Sequence, residues 1–144
     1  MWGSRIRLMA VCIIAGWASA GFGQAVTMQS RLIFATNQPQ ALDTRLDDIE
    51  YRLRRIFQFE HYGFLGQSST IIHLPSQSRV DLGHGYHLEV DARSRDGRVA
   101  ADIQWFRGRD RLISTSVRQR RGVPAVLGGP PHNGGTLILV LEFQ

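Results

Sequence analysis

Lysine is absent from this chain of 144 residues, and all 17 of its basic side chains are arginine. A phosphate-binding loop of the GxxxxGK type requires a lysine, and so do Schiff-base and pyridoxal enzymes. The sequence therefore excludes these classes of protein.

The first twenty residues resemble a secretory signal peptide. Arg5 and Arg7 precede an apolar run over residues 8–15, and a small-x-small cleavage signal ends at Ala20. The apolar run is shorter than the roughly 20 residues that span a bilayer. We expect cleavage after Ala20, with Ala25 as the alternative site, and export to the periplasm or the extracellular space. The mature form is not expected to span a membrane.

Cysteine occurs once, at Cys12, inside this expected leader. The mature chain would then have no disulfide, no thiol catalysis and no cysteine-ligated metal. Removal of the leader also removes two arginines, which leaves 15 arginines against 12 acidic residues and a formal charge of +3. This charge is too low for a nucleic-acid-binding surface but is compatible with an anionic partner.

One segment, residues 41–59, has a sustained helical period. Its apolar residues recur at steps of four and three, at Leu42, Leu46, Ile49, Leu53 and Ile56. Such a stripe predicts one amphipathic helix, whose apolar side must be covered by another part of the chain. A coiled-coil partner helix is the alternative cover, although the stripe lasts less than three heptads.

The remainder is rich in strand patterns. Residues 86–92 and 99–105 both alternate apolar and polar side chains, and Asp96-Gly97 between them is a hairpin signal. Residues 128–135, in contrast, consist mainly of glycine and proline and predict a loop. Residues 136–143 are apolar on both alternating faces, which is typical of a central strand covered on each side.

These patterns predict an α+β fold in which the helix packs on one face of a mainly antiparallel meander of five to seven strands. The expected organisation is a signal peptide over residues 1–20, a flexible lead-in over 21–30 and a single domain over 31–144.

The candidate binding residues are arginines near two turns. Alternate turns of a meander lie at the same end of the sheet, so the two groups should be neighbours and form a rim. Arginine suits phosphates and carboxylates, and the rim predicts an anionic partner such as a lipid headgroup, an acidic glycan or an acidic protein. The alternative is that these arginines only keep the turns soluble. The six residues are Arg93, Arg95, Arg98, Arg118, Arg120 and Arg121.

Catalytic patterns are weak. The serine motif GxSxG is absent, and His84 and His87 lie three residues apart in a turn and on a strand, a spacing that does not force them to converge on a metal. We expect no enzyme activity, no cofactor and no metal; a metal-dependent hydrolase using these two histidines is the remaining catalytic alternative.

The stretch from Thr115 to Phe143 resembles the part of bacterial secretins where a strand and a Val-Leu-Gly-Gly run precede a closing apolar strand. The resemblance covers about thirty residues and implies a link to an outer-membrane secretion or pilus machine. The chain lacks the length and the repeated periplasmic domains of a secretin. Its layout is also similar to small exported bacterial proteins of uncharacterised function.

The function predicted from the sequence is a non-catalytic exported module of the cell envelope that acts by protein or surface contact, as an accessory to a secretion or pilus system. The alternative is a binder of anionic lipid or glycan through the arginine rim.

Overall fold

The computed structural model describes residues 23–144, and the expected signal peptide over residues 1–20 lies outside this part. It contains a 3₁₀ turn at Thr44–Leu46, one helix, α1 (Glu50–Ile56), and eight strands. The strands are β1 (Gln24–Thr36), β2 (His61–Leu74), β3 (Ser76–Gly83), β4 (Tyr86–Arg95), β5 (Arg98–Arg107), β6 (Asp110–Gln119), β7 (Ala125–His132) and β8 (Gly135–Phe143).

The strands form two antiparallel sheets of four strands each. The first sheet has the order β2-β1-β8-β7, and the second has the order β3-β4-β5-β6. The chain crosses from the first sheet to the second at Pro75 and returns after β6. Only the second sheet is therefore a simple meander, in which each strand pairs with the next along the chain.

The hairpin predicted from alternation is confirmed. Val90 pairs with Ile103 and Leu88 pairs with Trp105 across β4 and β5, and Asp96 and Gly97 at the turn both have positive φ. A two-residue turn of this kind matches the twist of the flanking strands.

The two sheets pack face to face and share one core. Side chains of β1 and β8 meet those of β4 and β5, and Trp105 is among the largest of the fully buried residues. On β8, the side chains of Leu137, Leu139, Leu141 and Phe143 belong to this core. The arrangement is a β-sandwich with aliphatic and aromatic side chains in the middle layer.

The outer face of the first sheet is covered by the segment that contains α1. Leu46, Ile49 and Leu53 are buried there against Ile138 and Val140 of β8. Because β8 is central and is covered on both sides, every residue from Leu137 to Leu141 is buried, which explains its unbroken apolar sequence.

The predicted α+β class is wrong, because the described residues form eight strands in two sheets with only one short helix. The helix predicted over residues 41–59 is reduced to the 3₁₀ turn and the seven residues of α1. β1 begins at Gln24, inside the expected lead-in. The last five residues of β7, 128–132, lie in the segment predicted to be loop. No helix within residues 23–144 is long and apolar enough to cross a bilayer.

Candidate functional site

The outward side of the second sheet, which we call the open face, is a broad polar surface. Inward residues of β3, β4 and β5 fill the core, so the alternate residues point outward. The apolar clusters lie between the sheets and on the far side of the first sheet. None of the described elements packs on the open face, whereas the first sheet has a cover.

Three of the predicted arginines converge at one end of the open face. Arg93 of β4 lies across from Ala100 of β5, which in turn pairs with Arg118 of β6. Together with Arg95 these side chains border a hollow of about 220 Å³. The small side chain of Ala100 between the two arginines leaves the space for it.

Two aspartates hold the arginines of this hollow in place. Nη1 of Arg93 donates to Oδ2 of Asp102 at 3.0 Å, and Nη2 of Arg118 donates to Oδ2 of Asp96 at 2.7 Å. Ser116 Oγ donates to the other oxygen of Asp102 at 2.6 Å. The bond from Ser116 and the ion pair with Arg93 lower the pKa of the Asp102 carboxyl, and the same ion pair raises the pKa of Arg93.

The other predicted arginines are placed differently. Arg98 pairs with Arg95 beside the β4–β5 turn, and these two side chains have no carboxylate within 4.0 Å in residues 23–144. Arg120 follows β6. Arg121 turns away from the open face, and its Nη2 donates to the carbonyl of Ala25 in the first sheet at 3.4 Å.

A wider groove of about 530 Å³, which we call the polar groove, adjoins the hollow bordered by Arg93, Arg95 and Arg118, which we call the arginine hollow. Asp102 borders both spaces. The groove is lined by side chains that include Gln77, Arg79, Glu89, Asp91 and Gln104. It thus offers amide, guanidinium and carboxylate groups, which are donors and acceptors side by side.

Cross-strand register explains how these residues meet. Gln77 pairs with Asp91, and Asp91 pairs with Asp102, so three strands contribute to one row. In the next row, Arg79 pairs with Glu89, which pairs with Gln104. Carboxylates directly opposite one another, such as Asp91 and Asp102, oppose sheet stability, and Arg93 offsets that repulsion at Asp102.

The histidines do not converge. His84 Nε2 lies 3.2 Å from the carbonyl oxygen of Leu65, while the His87 ring stacks on Phe106 with centroids 4.9 Å apart and planes 3° apart. Within residues 23–144, no three His, Cys, Asp or Glu side chains are grouped so that they could hold a metal ion. The geometry gives the hydrolase hypothesis no support.

The fold and this surface define a class, an antiparallel β-sandwich with one sheet face covered by a helical segment and the opposite sheet face open and polar. Comparisons with protein-family models, with curated proteins and with solved structures find no match to this chain. Residues 115–143, whose sequence was compared with secretins, extend over β6, β7 and β8, which belong to both sheets.

The polar groove could not be assembled from sequence. Alternation indicated that Glu89, Asp91 and Gln104 face outward. Polar side chains on a face exposed to solvent need no binding role to explain them. What could not be inferred was that β3 adds Gln77 and Arg79 at the side of the same face, because β3 has only a weak strand pattern. The pairing of β3 with β4 was the missing information.

Proposed function

We propose that this chain is a non-catalytic, exported binding module of the cell envelope that holds an acidic glycan on its open face. One observation carries the proposal: an arginine hollow and a polar groove adjoin on a sheet face that no described element covers. Export is part of the proposal and rests on the composition of residues 1–20.

The two spaces differ in charge, and this difference fits a ligand with two kinds of groups. Guanidinium groups of Arg95 and Arg98 are free of carboxylate partners in the described residues and suit a carboxylate or sulfate. Sugar hydroxyls both donate and accept hydrogen bonds, and they match the mixed amide and carboxylate lining of the groove. A uronic acid or sulfated sugar has both kinds of groups on one molecule.

A membrane surface fits the open face less well. A protein that settles on lipid usually places large apolar side chains beside its basic residues. The large hydrophobic residues exposed in the described part of the chain do not line the arginine hollow or the polar groove. They are Leu42, Tyr51, Ile56, Ile71, Leu112 and Val123.

Binding to defined polymers tests the proposal. We expect the protein to bind polygalacturonate, to bind it less tightly as the salt concentration rises, and not to bind neutral dextran. The double variant Arg95→Gln/Arg98→Gln should weaken binding roughly tenfold, since each arginine can contribute a charge-assisted hydrogen bond. Both residues lack ion pairs in the described part, so the fold should be retained.

The matched control is Arg52→Gln/Arg55→Gln, which removes two charges from α1, on the first sheet's side of the molecule, and should leave polygalacturonate binding within about twofold. If both double variants lose polygalacturonate binding equally, the interaction depends only on the net charge of the protein and not on the open face. If the protein binds phosphatidylglycerol vesicles but not polygalacturonate, the partner of the open face is a membrane surface and not a glycan.

A further inference from the structure

A second groove lies on another side of the molecule, where the sandwich is open between β6 and β7. Its volume is about 640 Å³, and α1, β6 and β7 each form part of its wall. It is separate from the polar groove, and the two share no lining residue. We call it the edge groove.

The walls of the edge groove combine apolar side chains, which are partly exposed, with polar ones. Tyr51 and Ile56 of α1 are 74% and 53% exposed. Val126 and Leu127 of β7 and Val117 of β6 are only half-buried. The exposed apolar area of these side chains would be stabilised if a partner covered it.

The charge of the edge groove has one sign. Arg52 and Arg55 stand on its helical wall, and no aspartate or glutamate lines it. Arg52 reaches the carbonyl of Pro124 at 3.4 Å, and Arg55 lies over the ring of Tyr51. In the described part of the chain neither arginine has a carboxylate within ion-pair distance.

The floor of the groove is the free edge of a strand. β7 is the last strand of the first sheet, so alternate backbone N–H and C=O groups of β7 face away from β8. Pro124 and Pro130 lack an N–H group, which limits this edge to the few residues from Ala125 to Gly129. A short extended peptide could pair there and place alternate side chains against the apolar wall.

From these observations we infer that the edge groove binds an extended, acidic peptide segment of another protein by strand addition to β7. Apolar side chains on one face of the segment would cover Leu127 and Val117, and its carboxylates, on the other face, would pair with Arg52 and Arg55 of α1. This site is independent of the open face and does not require a glycan.

A second copy of this chain is a poor occupant. A two-fold contact through this groove would bring Arg52 and Arg55 near their own counterparts, with no lining carboxylate to offset them. The chain is also basic as a whole, with a formal charge of +3 once the expected leader is removed. Charge complementarity therefore favours a foreign acidic segment.

The probe is an acetylated and amidated octapeptide that alternates valine with glutamate. We expect it to bind the full chain saturably and to shift the backbone amide resonances of residues 125–129 and 50–56. The same peptide with lysine in place of glutamate should not bind. Arg52→Gln/Arg55→Gln should weaken binding at least roughly tenfold.

The matched control is Arg95→Gln/Arg98→Gln, which should leave peptide binding within about twofold. The inference fails if the glutamate peptide does not bind, if the lysine peptide binds equally well, or if the shifted resonances lie on β4 and β5. It also fails if the protein dimerises in sedimentation and Arg52→Glu strengthens the dimer, because the occupant would then be a second copy. None of these outcomes depends on polygalacturonate binding.

Discussion

At Gly129 the two sheets approach each other so closely that a side chain has no room. A Cβ atom built at Gly129 would lie 2.5 Å from Cη2 of Trp105 and 2.7 Å from the carbonyl oxygen of Leu137. We expect Gly129→Ala to lower the free energy of unfolding by about 1–3 kcal/mol, because the tryptophan ring must shift within a packed core. Urea denaturation measures the change.

The neighbouring glycine provides the control. A Cβ at Gly128 would lie 3.4 Å from Cε1 of Phe57, which is an ordinary contact. Gly128→Ala should therefore change the stability by no more than about 1 kcal/mol, and the lower entropy of the unfolded chain acts in its favour. If both variants are equally stable, Trp105 has more freedom than its contacts with Gly129 indicate.

Asp43 ties the start of the helical segment to β2. Its carboxylate accepts hydrogen bonds from the side chain and the backbone N–H of Arg45, and Oδ2 accepts from the backbone N–H of Phe64 at 3.0 Å. The side-chain bond from Arg45 and then the bond from Phe64 hold the pKa of Asp43 far below its usual value. A short carboxylate side chain thus anchors the covering segment to the first sheet.

The lowered pKa of Asp43 makes its contribution to stability dependent on pH. A carboxyl with a lower pKa in the folded chain stabilises the fold above its unfolded pKa of about 3.9, and this contribution is lost as the pH falls from there through the folded pKa. Asp43→Asn should lower the Tm at pH 7, and the difference from the unchanged protein should narrow below about pH 4.

Asp47→Asn is the matched control for charge, because Asp47 has no side-chain hydrogen bond or ion pair in residues 23–144. It should leave the Tm nearly unchanged at both pH values. A Tm difference for Asp43→Asn that stays constant from pH 7 to pH 3 would contradict the assignment.

The segment that covers the first sheet, residues 41–59, shows which features the apolar periodicity could predict and which it could not. The apolar stripe over residues 41–59 correctly indicated Leu46, Ile49 and Leu53 as core residues, but Leu42 is 84% exposed. Aspartates at 43, 47 and 48 are weak helix formers, and Asp43 caps the 3₁₀ turn instead of extending a helix. A helix as short as α1 depends on packing rather than on its own propensity, so its length could not be predicted from the stripe.

This dependence on packing can be tested on α1 itself. Leu53 is fully buried against the first sheet, whereas Ile56, three residues later, is 53% exposed. We expect Leu53→Ala to lower the free energy of unfolding by about 2–5 kcal/mol and Ile56→Ala to lower it by less than about 1 kcal/mol. Equal effects in urea denaturation would mean that α1 does not bury the face assigned to it.

Local sequence explains why β1 was predicted too short and why β7 was missed. In β1 the alternation of Val26 and Met28 is interrupted by Ser30, a buried polar residue, so the strand pattern begins too late. In β7, glycine and proline predict turns by their local propensities, so the strand was not recognised. Proline is nevertheless tolerated at a sheet edge, and Gly129 is needed there to accommodate Trp105.

For the whole molecule, the sequence predicted the hairpin of β4 and β5 but neither the pairing of β7 with β8 nor the division into two sheets. The hairpin of β4 and β5 follows from local alternation, and so does its arginine turn. The polar groove requires β3, which has only a weak strand pattern, beside β4, whereas the edge groove requires contacts distant in the sequence, β7 beside α1 and β6. Such contacts leave no periodic signal in a single sequence.

A shared core makes the two sheets one cooperative unit. Side chains of β4 and β5 from the second sheet and of β1 and β8 from the first sheet form one buried cluster, which includes Trp105. If one sheet unfolded alone, the other would expose its inner apolar face to water, which is strongly unfavourable. The sandwich should therefore unfold in a single transition.

Trp105 is the only tryptophan in residues 23–144, so its fluorescence reports on the layer between the sheets. In residues 21–144, the form expected after removal of the leader, Trp2 and Trp17 are absent, and tryptophan fluorescence and far-UV circular dichroism should give the same midpoint in urea, with a slope of about 1–3 kcal/mol/M. Two separated midpoints would mean that one sheet survives without the other, and the shared core would then not be what holds the molecule together.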